Sequence, residues 1–439
     1  MPFFLLKRDF IAKIPEMKTY LKIGLNSLSQ LLSRLVSASV TLLVTILITR
    51  NLSKDFWGDF VTVMSYIAMF SLIADFGLNG LVLKNFTAAE DKVEEGFREL
   101  LGLRVLLGLV AIFLGLAILS FVPHSVAVKT GIIVGLLMIL FQGVFTTSSV
   151  IFQHKLRYDL FAISDILGSL SILLLVFLAT LVKAPLVLVV AIFVLGTVVK
   201  AAVSLLLAQR LVAVKGISFN FPAFRSLIIA SLPLGLMLLF SQINNNVDKQ
   251  ILALTDPKLL GMASAVAVGI YGLAYRIFDF SVSAPTYIVN SAYPILLSKR
   301  KENLPEFSRL TRELLGFLVA AGGLLAIVGW FLTPTVLTLF GSYSESILPT
   351  RILLLGLPVF FATSLLVWLV VALNREIVLP FIFGFAALVN IVLNLVFIPK
   401  FGYNAAAWVT IVTELVILAL LSVVLAGRIN IFQNNEKDT

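Results

Sequence analysis

Apolar stretches of twenty or more residues, separated by short polar connections, recur along almost the whole chain. Twelve can be delimited, at 25–49, 59–82, 101–122, 130–153, 160–182, 186–208, 226–252, 266–297, 314–332, 352–373, 378–397 and 404–426. Each is long enough for a helix to cross the roughly 30 Å hydrocarbon core of a bilayer. Lipid offers the backbone no hydrogen-bond partner, so every stretch predicts an α-helix. The alternating segments of about ten residues that mark a membrane β-barrel are absent. The pattern therefore predicts an all-α polytopic membrane protein of twelve transmembrane helices. The connection 211–225 divides it into two six-helix bundles, 25–210 and 226–426. Residues 1–24 read as a basic amphipathic segment lying at the interface or as a disordered basic leader, and 427–439 as a polar tail.

Composition agrees with this reading. Of 439 residues, 60% are apolar and 13% charged, and the mean hydropathy is +1.07, which excludes a water-soluble enzyme. Cysteine is absent, so disulfides, thiolate metal sites and a thiol nucleophile are excluded. His124 and His154 are the only histidines, too few for a histidine metal site or triad. The net charge of +10 resides mainly in loops. Connections on the N-terminal side carry 21 Lys and Arg against eight opposite, Lys249 counted among the eight. That bias predicts cytoplasmic termini in a cell membrane and needs no nucleic-acid partner. No loop is long enough for an extramembrane catalytic domain, so function is expected between the helices.

Polar residues inside the spans are the candidate chemistry, because an intramembrane charge normally faces a cavity or a partner. In the first span Asn26, Gln30, Ser33/Arg34, Ser37 and Thr41 recur at helical spacing and form one stripe. In the eighth the stripe is Tyr275/Arg276, Asp279, Ser283, Thr286 and Asn290. Arg276 and Asp279 either line a cavity or neutralise each other at i,i+3. Pro285 and Pro294 are expected to bend this span. The seventh span ends in Gln242, Asn244, Asn245, Asn246, Asp248 and Lys249, which either line an outer vestibule or fray at the interface. Asp75 and Glu414, with Asp279, are deep carboxylates that carry a proton or Na⁺, or pair with an arginine. Lys200, Asp165 and Arg104 lie near cytoplasmic ends and are expected to snorkel.

An internal echo links the halves: Trp57-Gly58-Asp59-Phe60 opens the second span, and Val268-Gly269-Ile270-Tyr271 opens the eighth. Both halves start on the same side, so the repeat is expected to be parallel, with a pseudo-two-fold axis along the membrane normal and binding at the interface. Ile48-Thr49-Arg50-Asn51-Leu52 with Phe56-Trp57-Gly58 resembles the stretch after the first helix of polysaccharide flippases, and Asp75-Phe76-Gly77-Leu78 the end of their second. Pro233, Asp248, Val268–Tyr271 and Ala274-Tyr275-Arg276 resemble the start of their second half. Asn390-Ile391-Val392-Leu393-Asn394, Ile398-Pro399, Phe401-Gly402 and Ala405-Ala406-Ala407 are similar to their eleventh and twelfth helices, with Asn404 near the family's usual glycine. The chain is thus similar to the polysaccharide (Wzx-type) branch of the multidrug/oligosaccharidyl-lipid/polysaccharide (MOP) exporter superfamily.

That resemblance implies a polyprenyl-pyrophosphate-linked oligosaccharide as substrate, moved between leaflets by a monomer among membrane lipids. Arg34 and Arg276 suit its pyrophosphate, since a guanidinium makes two parallel hydrogen bonds to phosphate oxygens and keeps its charge. Gln30, Ser37, Asn245 and Tyr275 are the expected cavity neighbours. Asp75, Asp279 and Glu414 are the candidates for a coupling H⁺ or Na⁺. No cofactor, metal or catalytic residue is expected. The phosphate loop of an ATP-driven pump is missing, as are the D-x-D ligands of a membrane glycosyltransferase and the large outer loop of a polymerase or ligase. A lipid II flippase typically has two further helices, and a structural scaffold would not need inward charged stripes. A cation-coupled small-molecule antiporter of the same superfamily is the alternative.

The predicted topology has a direct test, because no native cysteine interferes. Asp256→Cys should react with an impermeant reagent from outside and Glu302→Cys should not; the reverse result overturns the orientation.

Overall fold

The computed structural model describes residues 36–79, 82, 93–212 and 216–435, and every regular element among them is helical. In chain order these are α1 (Val36–Asn51), α2 (Lys54–Asp75), α3 (Val93–Phe121), α4 (Val126–Gly135), α5 (Met138–His154), α6 (Tyr158–Leu181), α7 (Leu186–Gln209) and α8 (Phe221–Leu254). There follow α9 (Pro257–Leu260, a single turn), α10 (Ser264–Val282), α11 (Ala284–Glu302), α12 (Leu304–Thr338), α13 (Ile347–Leu355), α14 (Leu357–Ala372), α15 (Leu379–Phe401) and α16 (Tyr403–Asn435). Among the described residues ten helices are long and apolar enough to span a membrane, or eleven if the bent pair α13–α14 is one span, with α4–α5 and α10–α11 each counted once. The chain is a multi-pass membrane protein. The first predicted span enters the described residues only as α1; Gln30 and Arg34 lie outside them, as does the segment 1–24.

Two breaks have local causes. A proline supplies no N–H and its ring crowds the carbonyl four residues back. Pro285 therefore opens α11 just after α10 ends, whereas Pro294, also expected to bend the span, is accommodated within α11. Gly356 and Pro358 separate α13 from α14 by a 42° bend. At the C-terminus, α16 runs on to Asn435, so the predicted polar tail begins as helix.

The helices turn apolar side chains outward: Phe113, Phe331 and Phe381 are each more than 70% exposed. Lipid rather than water is the natural neighbour of such faces. Without a hydrophobic drive between helices, association relies on close approach of small residues and on buried hydrogen bonds. Gly58 of α2 meets the Ala265 carbonyl of α10 so closely that a Cβ there would overlap it. The Trp57 indole N–H donates to the Gly269 carbonyl at 3.0 Å. The two echoed tetrapeptides thus pack against each other. Between α15 and α16, Asn394 donates to Asn390 (2.8 Å) and Asn390 to Thr413 (3.2 Å), giving the family-like asparagines a structural task.

The structure corrects the reading of four charges. Arg104, expected to snorkel, is 1% exposed. It donates to Asp75 (2.7 Å), Asn79 (2.6 Å) and Thr147 (3.1 Å). Lys200 and Asp165 also turn inward and pair with each other at 2.7 Å, and the Ser37 hydroxyl donates to Asp165. Snorkelling fails because each charge has an opposite partner on a neighbouring helix, which costs less than stretching to the interface. Lys249, counted with loop cations, sits in α8 and is 5% exposed. The segment before α8 is not free either: Ser218 N–H donates to the Arg98 carbonyl (3.2 Å), and Asn220 to Glu99 (2.6 Å).

At the Trp57 end, Lys54 and Glu345 form an ion pair at 2.8 Å, and Arg50 donates to the Thr338 carbonyl at 3.1 Å. The hydrogen bond from Lys54 holds the Glu345 carboxyl below the usual carboxylate range. A carboxyl depressed in the folded state contributes stability above its unfolded pKa, about 4.3 for Glu, and loses it as pH falls through the folded value. The pair is partly exposed, so its contribution is small. Glu345→Gln should lower the melting temperature slightly at neutral pH and not at all under strongly acid conditions. Gly58→Val should destabilise far more, by about 1–3 kcal/mol from overpacking, read as a lower melting temperature of the purified chain. A wild-type melt would show that the α2–α10 approach is not structurally required.

Candidate functional site

A cavity of about 260 Å³ lies between α2, α8 and α10. Helical spacing sets its walls, since residues three, four and seven apart share a face. Phe60, Met64 and Ala68 come from α2, Gln242, Asn245, Asn246 and Lys249 from α8, and Gly272, Tyr275, Arg276 and Asp279 from α10. Two of the three walls thus come from the segment after 225 and one from the segment before 210. One turn beyond the cavity, Trp57, Gly58 and Gly269 bring α2 and α10 together and close that end. Gln250 of α8 fastens α2 at the same level, donating to the Thr62 carbonyl (2.9 Å) and Ser65 hydroxyl (2.6 Å). The His124 ring meets the Gln250 side-chain oxygen at 3.2 Å, and burial pushes that imidazole below its ordinary range.

Behind the wall lies a buried polar cluster. Asp248 is 0% exposed; it accepts from the Tyr271 hydroxyl at 2.5 Å and from the Lys249 N–H at 2.7 Å. Tyr271 also meets the Thr410 hydroxyl of α16 at 3.1 Å. The Lys249 ammonium lies 3.5 Å from the centroid of the Tyr275 ring, and the Tyr275 hydroxyl is 3.4 Å from Asn245 Oδ1. Cations, a carboxylate, amides and an aromatic face therefore share one concave surface, an arrangement able to take a ligand that is anionic at one point and polar elsewhere.

Arg276, Tyr275 and Asn245, expected at a substrate site, come together here with Asp279. Arg276 and Asp279 both face the cavity, and no ion pair within 4.0 Å joins them among the described residues. Ser37 is elsewhere, committed to Asp165. Asp75 is bound by Arg104 at the end of α2, and Glu414 sits on α16 beside Thr363; neither is among the residues named on the cavity wall. The sequence reading missed Gln250, and it placed Lys249 both in the polar run of the seventh span, expected to line an outer vestibule or to fray, and among the loop charges. The signal for Lys249 was present, as it follows Gln242 by seven residues on one face; it was counted as a loop charge because the span ends near it.

The fold is shared with solved transporters. Over 92% of this chain and 87% of that one, it is similar to the lipid II flippase MurJ in an inward closed conformation, with 16% identity and a TM-score of 0.72. An inward-facing multidrug resistance MATE family transporter of the MOP superfamily matches with a TM-score of 0.69 and 14% identity, over 92% and 96% of the two chains. A MOP superfamily transporter from Pyrococcus furiosus, whose binding pocket has reversed polarity, matches with a TM-score of 0.66 and 15% identity over 93% and 95%. No curated protein matches by sequence. At these identities the likeness establishes the fold alone. Residues 23–299, well over half of the chain, match the model of the family described as "Polysaccharide biosynthesis protein", so the chain belongs to that family, built on the fold of the MOP superfamily transporters.

Proposed function

We propose that this protein is a flippase that carries a polyprenyl-pyrophosphate-linked oligosaccharide from the cytoplasmic to the outer leaflet by alternating access. The observation that carries the reading is the cavity between α2, α8 and α10, walled by Arg276, Lys249, Asn245 and Tyr275 and closed at the Trp57 end. Family membership supports a glycan substrate, and the loop charge bias supports cytoplasmic termini, placing the closed end outside. In this reading the twelve spans form two six-helix bundles. Arg276 from one and Arg34 from the other hold the pyrophosphate while the sugar occupies the polar cavity, beside Gln30, Asn245 and Tyr275. The polyprenyl tail stays in lipid.

The diphosphate carries about two negative charges, so outward movement against an interior-negative membrane is downhill by about 2.3 kcal/mol per charge per 100 mV. Resetting then requires the emptied cationic cavity to be balanced, and a cation entering from outside does this. Of the three candidate carboxylates, Asp279 is the one on the cavity wall; Asp75 already has an arginine, and Glu414 is a step removed. A second reading, a cation-coupled small-molecule antiporter, draws on the same carboxylate and on the likeness to MATE transporters.

Arg276→Ala and Arg34→Ala should each weaken transport about ten- to hundredfold, the cost of one charge-assisted hydrogen-bond partner, and Arg34→Lys should restore little because a point charge does not replace the fork. Full surface-glycan export by both alanine variants at normal protein levels refutes the phosphate site. In reconstituted vesicles, flipping of lipid-linked oligosaccharide should slow when the membrane potential, the pH gradient or the Na⁺ gradient is collapsed, and Asp279→Asn should remove that sensitivity. An unchanged rate and end point with all three gradients gone describes a passive scramblase. Gradient-driven efflux of small cations without lipid flipping favours the antiporter.

A further inference from the structure

Lys249 differs from Arg104 and Lys200, the inward-facing cations with tight partners. Arg104 and Lys200 each meet their carboxylate at 2.7 Å, whereas the Lys249 ammonium is 3.5 Å from Asp248 Oδ1, beyond ordinary hydrogen-bond length. Asp248 does not depend on it, because the Tyr271 hydroxyl and the Lys249 backbone N–H already serve its two oxygens. The ammonium instead covers the Tyr275 ring and donates to the Asn245 carbonyl, a group that lies within α8. A ring face and a helical carbonyl are weaker partners for a cation than a phosphate oxygen, whose bond is ionic on both sides. A flexible four-carbon stem lets the charge move without moving the helix. Lys249 also lines the cavity, on the helix adjoining that of Arg276.

We propose that Lys249 receives the anionic head group of the substrate. When a lipid-linked diphosphate enters, the ammonium leaves the Tyr275 face and the Asn245 carbonyl for one phosphate oxygen, and Arg276 takes another. In the empty cavity the Tyr275 ring and Asp248 store the charge, which keeps an unpaired cation off a low-dielectric wall. Asp279, also on the wall, repels phosphate and sets the head group toward Lys249. This assignment rests on the diphosphate reading above and adds the α8 residue that contacts it.

The test titrates the purified chain in detergent with farnesyl diphosphate and with farnesyl monophosphate, for wild type, Lys249→Gln, Lys249→Arg and Arg276→Gln, with a melting curve for each. Lys249→Gln should bind the diphosphate about tenfold more weakly or worse and lose much of the preference over the monophosphate, while melting near the wild-type temperature. Lys249→Arg should recover most of the affinity. Wild-type affinity in Lys249→Gln together with lost affinity in Arg276→Gln removes Lys249 and leaves the cavity reading standing. If both Lys249 variants melt far below wild type and neither binds, the residue is a structural cation and the assignment is overturned. Absence of diphosphate binding by the wild-type chain overturns the assignment and the diphosphate reading together.

Discussion

A hydrocarbon surround solvates no polar group, and the arrangement of this protein follows from that constraint. Backbone groups are satisfied within helices, and side-chain charges inside the spans must find an opposite charge, a hydrogen-bond network or a wet cavity. All three solutions occur. Arg104 is enclosed by Asp75, Asn79 and Thr147, and Lys200 is matched by Asp165. Lys249, Arg276 and Asp279 are placed on a cavity wall instead. The tight pairs belong to the packing of the segment before residue 210. The loosely held charges mark the place where something else can bind.

The same constraint shapes the closed end. Helices in lipid gain little from burying apolar surface against one another, so α2 and α10 approach through glycine and a buried indole hydrogen bond. Gly58 and Gly269 leave no side chain between the backbones, and Trp57 fills the space beside them while satisfying its N–H. One turn further Phe60, Gly272 and Tyr275 line the cavity, while Val61 still packs against Gly272. Seal and cavity are thus successive turns of the same two helices.

The break at Ser283–Pro285 gives this element a second consequence. α10 carries the cavity residues and is packed against α2, while α11 continues the span past the break with Thr286 and Asn290 exposed. Polar residues on an exposed face contradict a lipid-facing helix, so the stripe that begins at Tyr275 continues past the break along the same polar route.

Hydrophobic length determined the helical class, and the intramembrane polar stripes determined where chemistry was to be sought. Tyr275, Arg276 and Asp279 were legible as one polar stripe by helical spacing on their span, and Asn245 as part of the polar run ending the span before it. The echo of Trp57-Gly58 in Val268-Gly269 picked out two tetrapeptides that the structure packs against each other. Partnership was not legible. Nothing in the spacing of Asp75 and Arg104, or of Asp165 and Lys200, says that they meet, because each pair joins different helices and depends on how those helices rotate and cross. The partners of Lys249 were equally hidden: the spacing put it in a polar run at the end of a span, and only the packing sets its ammonium against the rings of Tyr271 and Tyr275. Periodicity along one helix is a local property of the chain, whereas the choice between a paired charge and an available one is made by neighbours distant in sequence, which only the packed tertiary structure brings together.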